Sequence, residues 1–398
     1  MAATLKNSHT QKYLRELPLL DFTADLYPDT NLENVYIICA QHLVSTTYSL
    51  FNTLIQLGLK PSNLAAIGKC YSTDPEAFNE MDRLGIDVCA SSLSFDSHAS
   101  FDQQYRSNIK KFIQKRVLKL RSKGFKKIIA LDDGGELLAQ VDSVLEKSKK
   151  VIGIEQTSSG YHKIKKKNLH FPIINVARSP AKLNYESPII AELVLTTLLD
   201  NLKQLELQPG QALIIGNGPI GSHIREALEH THEVFIYDKI ASKSDIEEKE
   251  FEKSLKKFDL IIGCTGTPVL TPNQFKLLKK NAILVSTSSS DREFSADKLR
   301  KTIALVNDCH QNLHIDNKWL INCGFPINFS PNYRSIDCEK LQLTRSLLLS
   351  AILQAVDDVD TSEKRFIPLD LENQREILEK YFLLFAKEKP KEKIALAI

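Results

Sequence analysis

The stretch "LIIGNGPIGSHIREALE" (213–229) constrains this chain more than any other. Gly216, Gly218 and Gly221 form G-x-G-x-x-G directly after an apolar, β-branched run and directly before a helical pattern. Each glycine does something different. The first makes the tight turn, the second lets a pyrophosphate approach the backbone, and the third lets helix and strand pack closely. A second strand-like run, "EVFIYDK", ends in Asp238, about 20 residues beyond the glycines, where a carboxylate accepts from both ribose hydroxyls of a dinucleotide. A 2′-phosphate would be repelled there, which favours NAD over NADP. A merely structural glycine turn is the competing reading. The strand, helix and acid around the motif argue against it. "GCTGT" (263–267) follows another strand and suits either close passage of a cofactor or an ordinary strand–helix turn.

The rest of the chain repeats the same alternation. "NVYIICA", "LAAIGKC", "IDVCAS", "KKIIALDDGG", "KVIGIEQTSSG" and "PIINVA" read as strands, with amphipathic helices between them, including a long one over roughly 102–122 and another near 136–148. Asp74 before Pro75 is the expected N-cap of the helix in "DPEAFNEMDRLG", and Gly58 is a helix stop. A long helix over 187–207 separates this half from a second alternation: "QALIIGNGPIG", "EVFIYDK", "FDLIIGCTG", "NAILVSTSSS", "TIALVND" and "WLINCGF". The pattern predicts an α/β fold of two domains. Residues 1–186 form a doubly wound, mostly parallel-sheet domain, and 187–334 a Rossmann domain. Helices without strands of their own, over 335–398, return to complete the first domain.

Composition excludes several classes. With 398 residues, 42% hydrophobic and 25% charged, the chain can bury a large core unaided. A net charge of +3 gives no reason to expect nucleic acid, and no apolar run reaches membrane-spanning length. The lysine-dense stretches 110–127 and 163–170 and the tail read as solvated faces rather than anion-binding patches. Seven cysteines form no CxxC and sit mostly in apolar runs, so no metal site is expected; with no signal-peptide pattern at the N-terminus, the thiols point to the cytoplasm.

In an open α/β sheet, ligands bind beyond the carboxyl ends of the strands. His42, Asp133, Gln156 and Lys182 all fall at or near such ends in the first half, which points to one shared cleft. In "LDDGGELL" one of Asp132 and Asp133 is also a natural cap for the next helix.

Taken in order, "DDGGEL", "GIEQTSSGYHKI", "PIINVARSPAKLNYES", "GNGPIG", "CTGT" and "INCGF" resemble the landmarks of the S-adenosylhomocysteine hydrolase (adenosylhomocysteinase) family, over roughly residues 15–345. The resemblance implies a substrate domain, an NAD domain and tightly bound NAD. The cofactor transiently oxidises the substrate ribose so that homocysteine is eliminated, water adds, and the hydride returns. On the cofactor side it implies roles for Gly216, Gly218, Gly221, Asp238, Thr265 and Asn322. Thr157, Ser158 and Ser159 stand where the family has NAD-contacting threonines. On the catalytic side it implies His42 as general acid/base, with Asp133, and Lys182 as acceptor of the 3′-hydroxyl proton.

The departures cluster on the substrate side. Gln156 replaces a glutamate that holds the ribose, and an amide can be neither base nor anion. Glu186 replaces an aspartate, Ser187 an asparagine, Thr46 an adenine-reading glutamate, Ser289 a histidine, and Phe329 another histidine. The tail "KEKIALAI" lacks the family's terminal lysine and tyrosine, which reach a neighbouring subunit in its tetramers; the resemblance thus implies a homo-oligomer whose C-terminal exchange is altered. Three readings remain open: a divergent hydrolase acting on a small nucleoside or thioether, a non-catalytic NAD-binding paralogue, and an NAD-dependent dehydrogenase.

Overall fold

The computed structural model describes residues 17–121, 124–145, 150–329, 338–357 and 365–385. The strands are β1 (Val35–Ala40), β2 (Leu64–Ile67), β3 (Asp87–Val88), β4 (Lys127–Asp132), β5 (Val151–Glu155), β6 (Ile173–Asn175), β7 (Gln211–Ile215), β8 (Glu233–Tyr237), β9 (Leu260–Gly263), β10 (Ile283–Ser286), β11 (Leu313–Ile315), β12 (Lys318–Leu320) and β13 (Phe366–Pro368). The chain divides into two compact units. Unit 1 holds the described residues within Met1–Ser94, Ser107–Glu186 and Asp337–Ile398, and unit 2 those within Phe95–Arg106 and Ser187–Ile336.

Unit 1 is built on a seven-stranded sheet in the order β3-β2-β1-β4-β5-β6-β13, with every pairing parallel. Residues of β1 and β5 are buried throughout, as a parallel sheet covered on both faces requires. Within this sheet Gly153 of β5 has a packing role: a Cβ there would meet Leu138, Phe171 and Ile173 at 2.8–3.1 Å. Asp74 caps the helix Pro75–Arg83, accepting from the Glu76 and Ala77 amides at 2.8 and 3.4 Å. The helix Ser45–Gln56 ends just before Gly58, whose φ is +98°.

Unit 2 is built on a six-stranded sheet in the order β8-β7-β9-β10-β12-β11, parallel except for the edge pair β11–β12. Its core joins the inward residues of β7, β9 and β10 to Val194, Leu198 and Leu202 of the helix Ser187–Gln204 and to Ile224 and Leu228 of the helix Pro219–Leu228.

Four expectations change. The C-terminal segment carries a strand after all: β13 pairs with β6 through Phe366–Ile173, Ile367–Ile174 and Pro368–Asn175. "TIALVND" (302–308) forms no strand; the hairpin β11–β12 supplies the edge of that sheet instead. "IDVCAS" contributes only the two residues of β3. Residues 95–106 group with unit 2 because fully buried Arg300 holds them. Its guanidinium pairs with Asp291, donates to the carbonyls of Ser97 and Ala99, and lies over the rings of Phe95 and Phe325. The expected helix near 136–148 is seen as Glu136–Val141, and 146–149 lie outside the described residues, as does the tail from 386 onward.

Candidate functional site

The strand order of unit 1 reverses at β1, with β2 on one side and β4 on the other. This is the topological switch point at which doubly wound sheets bind ligands. The register aligns the strand ends there: Ile67, Ala40, Asp132, Glu155 and Asn175 form one row of paired positions. Side chains one or two residues further on are therefore brought together. His42 follows β1, Lys69 follows β2, Asp133 follows β4 and Gln156 follows β5, and all four are at least nine-tenths buried.

Asp133 is the centre of this cluster. One carboxylate oxygen accepts from Lys69 Nζ, and the other accepts from Gln156 Nε2 and lies 3.2 Å from His42 Nε2. The second imidazole nitrogen, Nδ1, lies 2.6 Å from Ser72 Oγ. Burial alone would raise the Asp133 carboxyl, but Lys69 and His42 outweigh it and hold the group well below the usual carboxylate range. Burial lowers His42. The neighbouring Asp133 opposes that effect, Lys69 and Arg345 reinforce it, and the imidazole stays neutral at pH 7. Burial works against the charge of Lys69, yet Asp133 keeps it firmly protonated.

Behind this cluster lie two more buried carboxyls. Asp132 Oδ2 accepts from the Leu138 amide at 2.9 Å, early in the helix Glu136–Val141. The two readings of the Asp132–Asp133 pair thus divide: Asp132 serves the helix and Asp133 faces the cluster. Glu155 Oε1 accepts from the Gly134 amide at 3.3 Å and from the Thr157 amide and hydroxyl at 2.8 and 2.7 Å. Burial pushes Asp132 up to about 7, and burial together with Asp132 pushes Glu155 well above the ordinary range. The pair therefore holds a proton at neutral pH.

Other expected residues of unit 1 are placed as follows. Thr46 is 2% exposed and accepts from Arg345 Nε at 3.0 Å. Lys182 Nζ pairs with Glu186 Oε1 across the single π-turn Lys182–Glu186. Thr157 is the N-cap of the helix Ser158–Lys165: its hydroxyl accepts from the Gly160 amide at 3.0 Å and donates to Glu155. Ser158 is exposed and Ser159 partly so.

In unit 2 the glycine loop has the geometry its sequence demands. Gly216 has φ +108°, a conformation that favours glycine, and its amide donates to the Tyr237 carbonyl at 2.8 Å. A Cβ on Gly221 would lie 2.0 Å from the Gly216 carbonyl oxygen, whereas one on Gly218 would meet nothing within 4 Å. The third glycine is therefore a packing residue and the second keeps the backbone bare. Asp238 reaches the same loop, accepting from the Asn217 amide at 2.7 Å and from the Ile240 amide at 2.9 Å. These residues fit a dinucleotide: bare backbone at the start of the helix Pro219–Leu228, and a carboxylate fixed beside it.

Thr265 is exposed in a loop organised by Glu293, which is fully buried. Glu293 Oε1 accepts from the Thr265 and Gly266 amides at 2.7 and 3.0 Å, and Oε2 from Ser286 Oγ at 2.7 Å. Asn322 lies in a strained turn in which it and Cys323 have φ of 53° and 52°. Its side chain is engaged with that turn, donating to the Pro326 carbonyl at 2.9 Å and facing His310 Nδ1 at 2.9 Å. Asp308, Cys309 and His310 bring potential metal-ligating atoms within 4.8 Å of one another. Asp308 Oδ1 already accepts from the His310 amide at 2.9 Å, so we read the group as support for the Asn322 turn. Ser187 opens the helix Ser187–Gln204, and Ser187, Ser289 and Phe329 are all partly exposed.

Sequence reasoning missed Lys69, Arg345 and Glu293. Lys69 was within reach: it lies two residues past an apolar strand, the same placement that singled out His42.

No protein-family model matches the chain. Uncharacterized proteins from two strains of Mycobacterium tuberculosis, CDC 1551 and H37Rv, are each 39% identical over 332 residues, covering 82% of this chain. The chain spans 65% of the length of these curated relatives. Among solved structures, a dipicolinate synthase subunit from Bacillus halodurans is 12% identical with a TM-score of 0.42, covering 83% of this chain and 99% of its own. NAD+-bound 3-phosphoglycerate dehydrogenase from Entamoeba histolytica is 11% identical with a TM-score of 0.42, covering 84% and 100%. Among the described residues, no helix is long and apolar enough to cross a membrane.

Proposed function

We propose that the chain is an NAD-binding, adenosylhomocysteinase-like enzyme. In this reading unit 2 holds NAD at the loop Gly216–Gly221 and Asp238, and unit 1 holds a hydroxyl-bearing, nucleoside-like ligand at the switch point of its sheet. One observation carries the reading of unit 1. A neutral imidazole, His42, sits on an ionised carboxylate, Asp133, beside buried amide atoms that lack protein partners. Among the described residues, Gln41 Nε2 and Oε1 and Gln156 Oε1 have no hydrogen-bond partner, although both residues are at least 96% buried. Buried polar groups are normally satisfied, and a polar ligand would satisfy these.

NAD, when bound, supplies reversible hydride transfer. The chain's own residues supply the proton handling. With Asp133 ionised, the neutral His42 ring carries its proton on Nε2 and donates it in a hydrogen bond to that carboxylate, so the basic nitrogen is Nδ1. Nδ1 takes a proton by way of the Ser72 hydroxyl it faces, and Asp133 stabilises the imidazolium that forms. Ser72 and Asp133 together fix the plane of the ring.

A second reading, NAD held without turnover, is favoured by one observation. Gln156, standing where the resemblance implies a substrate-holding glutamate, has its amide nitrogen bonded to Asp133.

One experiment separates the readings. The purified protein is assayed for bound NAD and NADH, then mixed with adenosine or adenosylhomocysteine. Transient NADH absorbance with product release supports the hydrolase. Bound NAD that no nucleoside reduces leaves the non-catalytic reading, and net NADH accumulation selects a dehydrogenase. Failure to bind NAD overturns the cofactor assignment.

A further inference from the structure

The most unusual group in unit 1 is a buried lysine. Lys69 is 3% exposed, and its ammonium is tied to Asp133, the same carboxylate that His42 faces. In a two-membered His–Asp pair the carboxylate stabilises the imidazolium in full, and the histidine is easily protonated. A third, permanently charged member changes that balance. The Asp133 charge is shared, and any proton arriving on His42 meets a buried cation across the carboxylate.

We propose that Lys69 is a positioning residue that holds Asp133 as an anion and keeps His42 unprotonated, so that His42 serves as the base and not the acid when a ligand arrives. This assignment rests on the proposed role of His42, but it is open to test without turnover.

The groups facing His42 come from every neighbouring element. Asp133 follows β4. Lys69 follows β2, and Tyr71 and Ser72 lie in the short turn Cys70–Ser72. Arg345 comes from the helix Cys338–Val356. Gln156, after β5, reaches the cluster through Asp133. Asp133 is the anion in direct contact with the ring, while Lys69 and Arg345 both act against a proton on it. Gln156 donates to Asp133 without adding charge, so it completes the carboxylate's hydrogen bonds and leaves the balance to Lys69.

The test is the titration of His42 in the full chain, followed by NMR of nitrogen-labelled histidine and assigned with His42→Asn. In the wild type His42 titrates below the ordinary imidazole value of about 6.5. Lys69→Gln keeps a donor for Asp133 but removes the charge. His42 should then titrate at least about one pH unit higher, a tenfold change in its protonated-to-neutral ratio. Lys69→Arg should leave it within a few tenths of a unit of wild type.

The glutamine variant also has a readout in stability. His42, with its pKa raised, becomes the counter-charge of Asp133. That contribution is present below the unfolded value and is lost as pH rises through the folded one. Relative to wild type, Lys69→Gln is therefore more stable at about pH 5.5 than at about pH 8.5. A variant that unfolds at high pH but recovers at low pH supports the proposal as well. Three results overturn it: wild-type His42 titrating at or above the ordinary value, an unmoved His42 in folded Lys69→Gln, or a Lys69→Gln stability deficit that does not depend on pH.

Discussion

Alanine at two positions of the glycine loop separates a packing role from a ligand role. In Gly221→Ala the new methyl lies 2.0 Å from the Gly216 carbonyl oxygen, a backbone atom that cannot rotate away. Helix and strand must move apart by about 1 Å, and overpacking of this kind costs about 1–3 kcal/mol. For a unit of this size that lowers Tm by about 3–10 °C. NAD affinity should fall at least about tenfold as well, because 1.4 kcal/mol of lost phosphate contact is one decade. Gly218→Ala is different. Its methyl meets nothing within 4 Å, and its φ of −88° is open to alanine. Exchanging an N-cap glycine for alanine costs about 1 kcal/mol or less, so Tm barely changes. NAD binding nevertheless falls about tenfold or more, since the methyl stands where a pyrophosphate would approach. Thermal melts and calorimetric titration with NAD read both variants. If Gly218→Ala binds NAD within twofold of wild type, the dinucleotide assignment of this loop is wrong. An unchanged Tm in Gly221→Ala would refute the packing argument.

Other side chains give independent checks. Asp133→Asn leaves the Lys69 ammonium buried without its counter-ion and should cost about 3–5 kcal/mol in urea unfolding; a loss below about 1 kcal/mol would show that solvent reaches the cluster. Glu293→Ala strands the Thr265 and Gly266 amides and the Ser286 hydroxyl, so we expect a loss of at least about 2 kcal/mol with weaker NAD binding; unchanged NAD affinity would detach this loop from the cofactor. Asp132 has a raised folded-state pKa, so its contribution is present at low pH and is lost as pH rises from about 4 to 7. Measured against Asp132→Asn, wild-type stability should decline over that window by up to about 4 kcal/mol, at 1.4 kcal/mol per pKa unit. A difference that stays flat with pH would mean that the carboxyl is ionised throughout.

Much of the fold was legible because its central strands are apolar and buried on both faces, and because glycines and caps punctuate them. Asp74–Pro75 and "GNGPIG" are local chemistry, and local chemistry survives without neighbours. Errors arose where pairing is decided by distant partners. "FIP" became β13 only because β6 offers an open edge, and "TIALVND" lost its strand to a hairpin of three-residue arms. The sites divide in the same way. His42 and Asp133 were visible as polar residues at strand ends, but Arg345 comes from a helix about 300 residues away in sequence, and nothing in "QLTRSLL" marks it as a partner of Thr46. Glu293 was hidden by its setting in "SSSDREFS", which reads as a polar loop although its carboxylate is fully buried.

The contact between Gln156 and Asp133 alters what its replacement by glutamate should do. Gln156 stands where the resemblance implies a glutamate, so Gln156→Glu first looks like a restoration of the substrate-holding acid. The strand ends argue otherwise. Asp132, Asp133 and Glu155 already place three buried carboxyls at neighbouring strand ends, and one proton is held there to make that tolerable. The amide at 156 donates to Asp133, whereas a carboxylate in its place would turn a donor into a second anion against the same oxygen. Like charges at that distance cannot both ionise, so the new carboxyl must take up a proton or break away from Asp133. Gln156→Glu is therefore expected to bind one proton more than wild type on folding, and to lose stability steadily as pH rises through neutrality. Unfolding free energies of the two proteins compared at about pH 5 and pH 8 measure this directly. If the variant is as stable as wild type at the higher pH, Lys69 alone balances two anions and the pocket is the more cationic site that an acid at 156 would suit. If it is destabilised as expected, the glutamine is the residue this charge arrangement requires.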